Sequence, residues 1–232
     1  MSKGYKPMRL IKFLTLSVAM SRNQAKFFIK RGRVSVNGKA KTDPDFELLD
    51  SSQVLFDGKP ISIIEYQYIV LHKPPSYECA STNKQNKSIL ELIKNRSEKR
   101  SYHFANILAP ELTGIVLLSD DIRWVSRMKL RLQKKTWIYR IRLSNNANEV
   151  ILEQLKSALS ENEITPTIEI DDEDKRSILL HLSQTQGTEI VTTLASLNLK
   201  VATLQLKQLG RLNLGELKEG DYLELMENEV KI

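Results

Sequence analysis

Cysteine, aromatic residues and long apolar runs are all scarce in this chain of 232 residues. Its one cysteine, Cys79, excludes an internal disulfide and suits a reducing compartment. No stretch approaches the roughly 20 apolar residues of a membrane span, so the sequence predicts a cytoplasmic protein without a membrane partner. The histidines have no metal-ligand spacing with each other or with Cys79, and we therefore predict no metal site.

Acidic residues are missing from the first 42 positions, which carry eleven Lys or Arg. Residues 1–66 hold twelve basic and six acidic residues, a net +6, whereas the remaining 166 hold 23 and 22, a net +1. A focused positive charge attracts phosphate and gains counterion release on binding, whereas diffuse charge can serve solubility alone. The asymmetry predicts that the N-terminal segment binds a polyanion, and RNA is the one we favour.

A capping-box pattern at Ser21 and Gln24 predicts that a helix begins there. Ala25, Phe28 and Ile29 share its apolar face, which we expect to pack on an earlier helix. Basic residues four positions apart lie one above the other on a helix, so they can follow a phosphate backbone. This basic stripe consists of Arg22, Lys26 and Lys30.

Two strands with tight turns are predicted after this helix. Gly32 ends the helix, and residues 34–36 alternate as a strand before Asn37-Gly38, which tolerates positive φ in a turn. Residues 54–56, before Asp57-Gly58, are predicted to form the partner strand. The segment therefore predicts a small helix-and-hairpin module.

In this order and spacing the patterns resemble the S-four type RNA-binding domain, named from a ribosomal protein, over roughly residues 8–62. The matching residues are Arg9-Leu10, Ser21-Arg22-Asn23-Gln24-Ala25, Ile29, Gly32-Arg33-Val34, Val36-Asn37-Gly38-Lys39 and Asp57-Gly58. We predict an RNA-binding domain over residues 1–62 and a linker over 63–67. The RNA contacts predicted in this domain are Arg9, Lys12, Ser21, Arg22, Gln24, Lys26, Lys30, Arg31, Arg33, Asn37 and Lys39.

A second domain, rich in strands, is predicted over residues 68–232. Trp137, Tyr139 and Ile141 alternate on one face of one strand. Strands are predicted near 68–71, 115–118, 136–143, 166–170, 177–182, 200–206 and 221–226. Helices are predicted near 88–93, 147–159 and 188–197, with another opened by Asp120-Asp121. This order gives an α+β fold with a mixed, mainly antiparallel sheet.

Almost the whole chain resembles the RsuA-like family of bacterial ribosomal-RNA pseudouridine synthases. The carriers are Leu71-His72-Lys73-Pro74, Thr113-Gly114-Ile115-Val116-Leu117-Leu118-Ser119-Asp120-Asp121, Lys135-Thr136-Trp137, and Leu209-Gly210 with Leu214, Leu217, Gly220-Asp221-Tyr222 and Leu225. Members swing a uridine out of the helix, break its glycosidic bond and rejoin the base through carbon 5, with an aspartate as the catalytic group. The resemblance implies ribosomal RNA as partner and no cofactor.

The sequence departs from the family at the catalytic loop, which in the family reads Gly-Arg-Leu-Asp, four residues, then Gly. The ungapped counterpart is Asn106-Ile107-Leu108-Ala109 before Gly114, so Ala109 stands at the aspartate position. A methyl group can neither attack a sugar nor exchange a proton, so the resemblance implies that the chemistry is lost. Three further replacements are Ile107 for the neighbouring arginine, Trp137 for the active-site tyrosine and Thr192 for the basic partner.

The replacements are expected to be coupled, because a buried arginine without its carboxylate costs roughly 3 to 5 kcal/mol. Glu111 is the acid that could substitute for the aspartate, although no basic partner is preserved to hold it. Tyr139 shares a face with Trp137 and could replace the lost tyrosine, but core packing is the role that we predict.

A second basic stretch over residues 123–142 holds eight Lys or Arg and no acid. It is either a solvated surface or a set of cations that holds an RNA backbone. We predict a monomeric RNA-binding pseudoenzyme on a pseudouridine synthase scaffold; the alternatives are an active synthase that uses Glu111 and a protein-interaction module. The RNA contacts predicted in this domain are Lys73, Arg123, Arg127, Lys134 and Lys135.

Overall fold

The chain folds into two compact units, Met1–Glu65 and Tyr66–Ile232. The first six residues of the predicted N-terminal domain lie outside the described residues. Within the described part of the chain, no helix is long and apolar enough to cross a membrane. The computed structural model describes residues 7–18, 20–80, 87–94, 100–160, 166–182 and 187–232.

Two short helices open the N-terminal unit, and the second begins at the predicted capping box. The Gln24 amide donates to Ser21 Oγ at 3.3 Å, and the Ser21 amide donates to Gln24 Oε1 at 2.8 Å. Both amides would lack a helical partner, so the reciprocal bonds fix where the helix starts. The helices are α1 (Leu10–Ser17) and α2 (Arg22–Lys30).

The core of this unit lies between the two helices and a small sheet. It contains the buried side chains of Leu10, Ile11, Leu14, Ala25, Ile29, Val34, Val36, Leu48 and Val54. Phe28 is different: it is only half-buried and packs edge-on against Phe56 at 5.4 Å between ring centroids. The prediction that Phe28 packs on α1 is therefore wrong, because its ring turns toward the sheet.

The small sheet is built from two hairpins whose turns the sequence specifies. Asn37 and Gly38 have φ of 50° and 77°, and Asp57 and Gly58 have φ of 51° and 77°. Positive φ at both positions of a two-residue loop matches the twist of a hairpin. The sheet has the order β3-β2-β5-β6, and β1 pairs with β4. The strands are β1 (Met8–Arg9), β2 (Val34–Val36), β3 (Lys39–Ala40), β4 (Glu47–Leu48), β5 (Val54–Phe56) and β6 (Lys59–Pro60).

A nine-stranded sheet forms the centre of the second unit within the described residues. The strands of this unit are β7 (Tyr68–Lys73), β8 (Tyr77–Glu78), β9 (Lys87–Ser88), β10 (His103–Phe104), β11 (Thr113–Ser119), β12 (Trp137–Leu143), β13 (Thr167–Ile170), β14 (Ser177–Leu182), β15 (Val201–Leu209), β16 (Leu212–Asn213) and β17 (Tyr222–Leu225). The helices are α3 (Ile122–Leu132), α4 (Glu149–Ser160) and α5 (Gly187–Ser196), with 3-10 turns at Ile89–Leu92 and Glu227–Glu229.

The main sheet runs in the order β13-β14-β12-β15-β11-β7-β17, with β10 beside β11 and β16 beside β15. Neighbours pair antiparallel except β11 and β15, which share a short parallel bridge. Every residue of β7 and β11 is buried, as expected for central strands covered on both faces. The predicted α+β class with a mainly antiparallel sheet is confirmed.

One predicted helix is shorter than expected. The capping box of Ser88 and Glu91 is present, but the segment is a 3-10 helix over Ile89–Leu92 and not an α-helix. Ile93 has ψ of 106°, so the chain turns into extended backbone there. A capping box fixes the start of a helix and leaves its length to the residues beyond it.

Candidate active-site loop and nucleic-acid surfaces

Asn106 anchors the loop before β11, which the sequence resemblance predicts to be the counterpart of the family's catalytic loop. Its side chain is buried, donates through Nδ2 to the Ile115 carbonyl at 2.8 Å and accepts from the Leu117 amide at 2.8 Å. The amide group thus pairs with β11 as another strand would. The Ala105 amide continues the pairing at 2.7 Å from the Leu117 carbonyl. This half of the loop is therefore held along the central strand.

Lys73 anchors the other half of the loop from the end of β7. The side chain is fully buried, and Nζ donates to the carbonyls of Leu112 at 2.7 Å, Pro74 at 3.0 Å and Pro110 at 3.1 Å. Burial lowers the pKa of Lys73 to about 8. We therefore remove Lys73 from the predicted RNA contacts, because its ammonium has no access to solvent and is bound to three carbonyls.

A cavity of about 430 Å³ lies beside Ala109. Its described lining residues are Ala105, Asn106, Ile107, Leu108, Ala109, Lys129, Leu132, Gln133, Trp137 and Tyr139. None of these described residues is acidic, so the described lining offers no general base or nucleophile of the carboxylate type. The polar groups that it does offer are an amide on each of Asn106 and Gln133, the Lys129 ammonium and the Tyr139 hydroxyl.

Trp137 and Tyr139 are the large aromatic residues of this cavity, and both are about 1% exposed. The Trp137 indole donates through Nε1 to the Leu132 carbonyl at 3.1 Å, which fixes the ring. Burial raises the pKa of the Tyr139 hydroxyl, so it stays protonated at neutral pH. The prediction that Tyr139 packs in the core is consistent with this burial.

Three other predicted site residues lie outside the cavity interior. Ile107 lies at its rim and is 66% exposed. Glu111 is exposed and is not among the described lining residues, although its charge acts on Lys73 and opposes the fall in that pKa. Thr192 is an exposed residue of α5 and does not appear in the lining either.

The exposure of Ile107 and Thr192 corrects the expected energetic coupling of the replacements. Position 107 is 66% exposed, so an arginine there would keep most of its hydration. Thr192 is exposed as well. The penalty for a buried unpaired cation does not apply to a solvated guanidinium, and that argument is wrong for both positions.

Half of the second basic stretch is neutralised by acids from elsewhere in this unit. Arg127 Nη2 lies 2.8 Å from Glu227, and Arg123 Nε lies 3.8 Å from Asp121. Two arginines of β12 have the same kind of partner, with Arg140 Nε 2.7 Å from Asp171 and Arg142 Nε 3.1 Å from Asp174. The charges of Arg140 and Arg142 are therefore largely committed to the fold, whereas the pairs of Arg123 and Arg127 are longer or more exposed and contribute less.

One of the remaining cations of the stretch lies at the cavity. Lys129 is a lining residue, and Lys134 is exposed just beyond the end of α3. Within the described residues, no ion pair joins Lys129, Arg131, Lys134 or Lys135 to an acid. The sequence placed Lys129 in the second basic stretch but did not indicate Gln133, whose i, i+4 spacing from Lys129 at the end of α3 was the signal available.

On the N-terminal unit, three of the predicted RNA contacts line one concave site of about 440 Å³. Arg9, Lys12 and Arg22 surround it, and its described lining also contains Pro7, Met8, Ile11 and Thr15. Arg9 also lies 3.0 Å from Asp45, but both side chains are more than 60% exposed, and such pairs contribute little. The site therefore keeps a strong positive charge.

Other predicted contacts of this unit have structural partners. Ser21 and Gln24 bond each other in the capping box, and Asn37 Oδ1 accepts from the Gln53 amide at 2.8 Å. Arg33 pairs with Asp57, with Nε 2.6 Å from Oδ1. The remaining predicted contacts, which are also exposed, are Lys26, Lys30, Arg31 and Lys39. The described part of the chain holds no group of three or more metal-ligating side chains.

Comparison with known proteins agrees with the features of both units. A model described as the S4 domain matches residues 8–54. The ribosomal small subunit pseudouridine synthase A of Vibrio cholerae serotype O1 is 28% identical over 227 residues, which cover 96% of this chain and 98% of the relative. The enzyme of the same name from Escherichia coli K12 is 25% identical over 228 residues, covering 96% and 98%.

A solved structure supports the same assignment. The crystal structure of a pseudouridylate synthase superposes with a TM-score of 0.56 and 25% identity, covering 96% of this chain and 97% of the other. The resemblance predicted from the two sets of motifs is confirmed at the level of the family and the fold. This chain is a homologue of the RsuA-like ribosomal small subunit pseudouridine synthases and carries an S4 domain at its N-terminal end.

Proposed function

We propose that this protein binds ribosomal RNA without isomerising uridine. The observation that carries the proposal is the cavity beside Ala109, whose described lining contains no carboxylate. The reaction of the family needs an acid that attacks or exchanges a proton at the reacting uridine, and an alanine methyl group does neither. RNA binding can persist without the reaction, because the basic side chains that we propose bind RNA lie on residues other than Ala109.

The anchoring of the loop beside Ala109 supports a binding role, because it keeps the loop ordered. Asn106 and Lys73 together make five hydrogen bonds to backbone groups on or beside the loop. Buried polar groups reduce stability when they lack partners, and here the Asn106 amide nitrogen, its oxygen and the Lys73 ammonium each have at least one. The cavity and its rim thus keep a defined shape although the acid is missing.

RNA binding is supported by cations whose charge is not taken up by the fold. Arg9, Lys12 and Arg22 converge on the concave site of the N-terminal unit, and Lys129 lies at the cavity of the second unit. Cations arranged in this way hold phosphates without reading sequence. Ribosomal RNA is the RNA that we favour, because the relatives that match nearly the whole chain are named for the ribosomal small subunit.

Chemical mapping of pseudouridine tests the absence of chemistry. Ribosomal RNA incubated with excess protein should show no new pseudouridine, and the Ala109→Asp, Thr192→Arg double variant should show none either, because Ile107 and Trp137 remain. Pseudouridine formed by the native protein would overturn the proposal.

The use of a relocated acid is distinguished by a matched pair of variants. If the native protein does form pseudouridine, its loss in Glu111→Gln but not in Glu216→Gln would assign the reaction to Glu111. Both glutamates are exposed, so the two substitutions remove the same charge from similar environments. On our proposal all three proteins give the same blank result.

A further inference from the structure

Three phenylalanines and two arginines form a continuous row on the N-terminal unit, which we call the phenylalanine–arginine ladder. The Phe27 and Phe28 ring centroids are 5.5 Å apart, and those of Phe28 and Phe56 are 5.4 Å apart. The Arg31 guanidinium lies 4.6 Å from the Phe27 ring centroid. The Arg33 guanidinium lies 4.5 Å from the Phe28 centroid and 5.2 Å from that of Phe56.

The apolar core accounts for one ring of this ladder, that of Phe56, and not for the rings of Phe27 and Phe28. The buried residues of α2 are Ala25 and Ile29, whereas Phe27 is 51% exposed and Phe28 is only half-buried. Neither ring belongs to the group of side chains packed around the core of this unit. A single exposed phenylalanine needs no explanation, but a row of rings joined to guanidinium groups is an organised surface.

The two arginines have different roles in the ladder. Arg33 is held by the Asp57 carboxylate, which fixes its guanidinium beside the rings of Phe28 and Phe56. Arg31 is exposed, and within the described residues no carboxylate pairs with it. Its charge is therefore available to a phosphate, while its plane lies over Phe27.

The chemistry of this surface fits one kind of ligand. Unpaired nucleobases stack on aromatic rings and on guanidinium planes, whereas the faces of paired bases are covered by their neighbours in the duplex. Lys26 and Lys30 flank Phe27 on the same helix and are both exposed, so cations for the backbone lie beside the stacking groups.

We propose that the phenylalanine–arginine ladder binds unpaired bases of RNA by stacking, with Phe27 and Arg31 as the accessible end. This inference rests on the proposed RNA-binding function and adds the class of RNA that the N-terminal unit prefers. The concave site around Arg9, Lys12 and Arg22 then serves the backbone, and the ladder supplies a preference for single strands.

The test uses the full chain with Phe27→Ala, Phe27→Tyr and the control Leu49→Ala. Leu49 is an exposed apolar residue of the same unit, 64% exposed, and lies outside the ladder. Dissociation constants are measured for an unstructured RNA oligonucleotide and for the same strand in a duplex, over a series of salt concentrations. Circular dichroism checks that each variant is folded.

Stacking predicts a specific pattern. Phe27→Ala should weaken single-strand binding by about fivefold or more, because loss of one stacked base costs about 1 to 3 kcal/mol. Its duplex affinity and the slope of log affinity against log salt should not change, since no charge is removed. Phe27→Tyr keeps a ring face and should bind as the native protein does, as should Leu49→Ala.

The outcomes separate this inference from the function on which it rests. Equal single-strand affinities for Phe27→Ala and Leu49→Ala, in a protein that binds RNA, would overturn the ladder and leave the RNA-binding proposal intact. An equal loss for single strands and duplex in Phe27→Ala would also overturn it. A native protein that binds neither RNA in a salt-dependent way would remove the proposed function itself.

Discussion

Lys73 shows how a residue of a recognisable motif can acquire its role from burial. The sequence places it among the basic residues, but the fold gives its ammonium three backbone carbonyls and no solvent. Hydrogen bonds from a charged donor contribute more than neutral ones, and carbonyls left without a donor in the interior destabilise the fold. Lys73 is thus a positioning residue for the loop beside Ala109.

Substitution of Lys73 tests this role. Lys73→Met keeps the apolar stem but removes the donor, and we expect a loss of about 3 kcal/mol in the free energy of unfolding, because up to three buried carbonyls lose their partner. Urea unfolding followed by tryptophan fluorescence reports on the unit that contains Lys73, since Trp124 and Trp137 both lie in that unit. The exposed Lys200→Met is the control, and equal stability of the two variants would contradict the assigned role.

Titration of Lys73 makes a second residue-scale prediction. Burial lowers its pKa from 10.5 to about 8, so between these values the unfolded chain binds more protons than the folded one. The contribution of Lys73 to the free energy of unfolding therefore rises as the pH increases through that window. Below about pH 8 the side chain is protonated in both states, and the full free-energy cost of burying the ammonium remains.

The free energy of unfolding of the native protein should therefore increase relative to that of Lys73→Met as the pH rises from about 8 toward 10.5. Urea titrations of both proteins at the two ends of this range measure the difference. A constant difference would mean that Lys73 does not titrate in this window in the folded protein.

At the scale of elements, the contact between β11 and β15 depends on a single glycine. Gly114 has φ of +125°, and a Cβ atom there would lie 2.3 Å from the Leu206 carbonyl oxygen and 2.6 Å from its nitrogen. Both are backbone atoms, so a side chain could be accommodated only if the two central strands moved apart. The glycine therefore permits the parallel bridge that continues from the loop into the sheet.

Gly114→Ala should accordingly destabilise the second unit by about 3 kcal/mol or more, because it adds both a backbone clash and a strained φ. Gly215→Ala is the matched control, since Gly215 has φ of +56° but open space around it. This control should lose only about 1 kcal/mol from backbone strain. Equal urea midpoints for the two variants would contradict this prediction, because they would show that the clash with the Leu206 backbone does not lower the free energy of unfolding.

Elements also show which features can be predicted from the sequence. The capping boxes, the two-residue turns and the alternation of Trp137, Tyr139 and Ile141 were predicted correctly, because each depends on residues within four positions of one another. The predicted helix at residues 88–93 is a 3-10 turn because its length depends on the residues after the cap.

The candidate site was less predictable, because it depends on contacts between distant residues. Arg140 and Arg142 belong to an all-basic stretch in the sequence, yet their partners Asp171 and Asp174 come from a segment about 30 residues later. The exposure of Ile107 and the burial of Lys73 likewise depend on tertiary packing. Ala109 could be located from spacing alone, since it lies at a fixed distance from Gly114.

At the scale of the whole molecule, the two units differ in how their charge is used. Residues 1–66 carry a net +6, and cations such as Lys12 and Lys26 remain exposed or line the concave site. In the second unit, four arginines of the basic stretch pair with acids, and the net charge of residues 67–232 is only +1. Electrostatic attraction of RNA should therefore depend mainly on the N-terminal unit.

Neutralising the basic stripe measures this dependence. In the triple variant Arg22→Gln, Lys26→Gln, Lys30→Gln, the slope of log affinity against log salt should fall in magnitude by about two to three, because each phosphate contact contributes about 0.7 to 0.9. Removing the same number of charges with Arg123→Gln, Arg140→Gln and Arg142→Gln should leave the slope almost unchanged and lower stability instead, since these arginines pair with acids. Fluorescence titration with RNA at several salt concentrations gives both slopes. Equal decreases in the two triple variants would mean that RNA binding depends on net charge alone, as for any basic protein, and would favour a protein-interaction role for this scaffold.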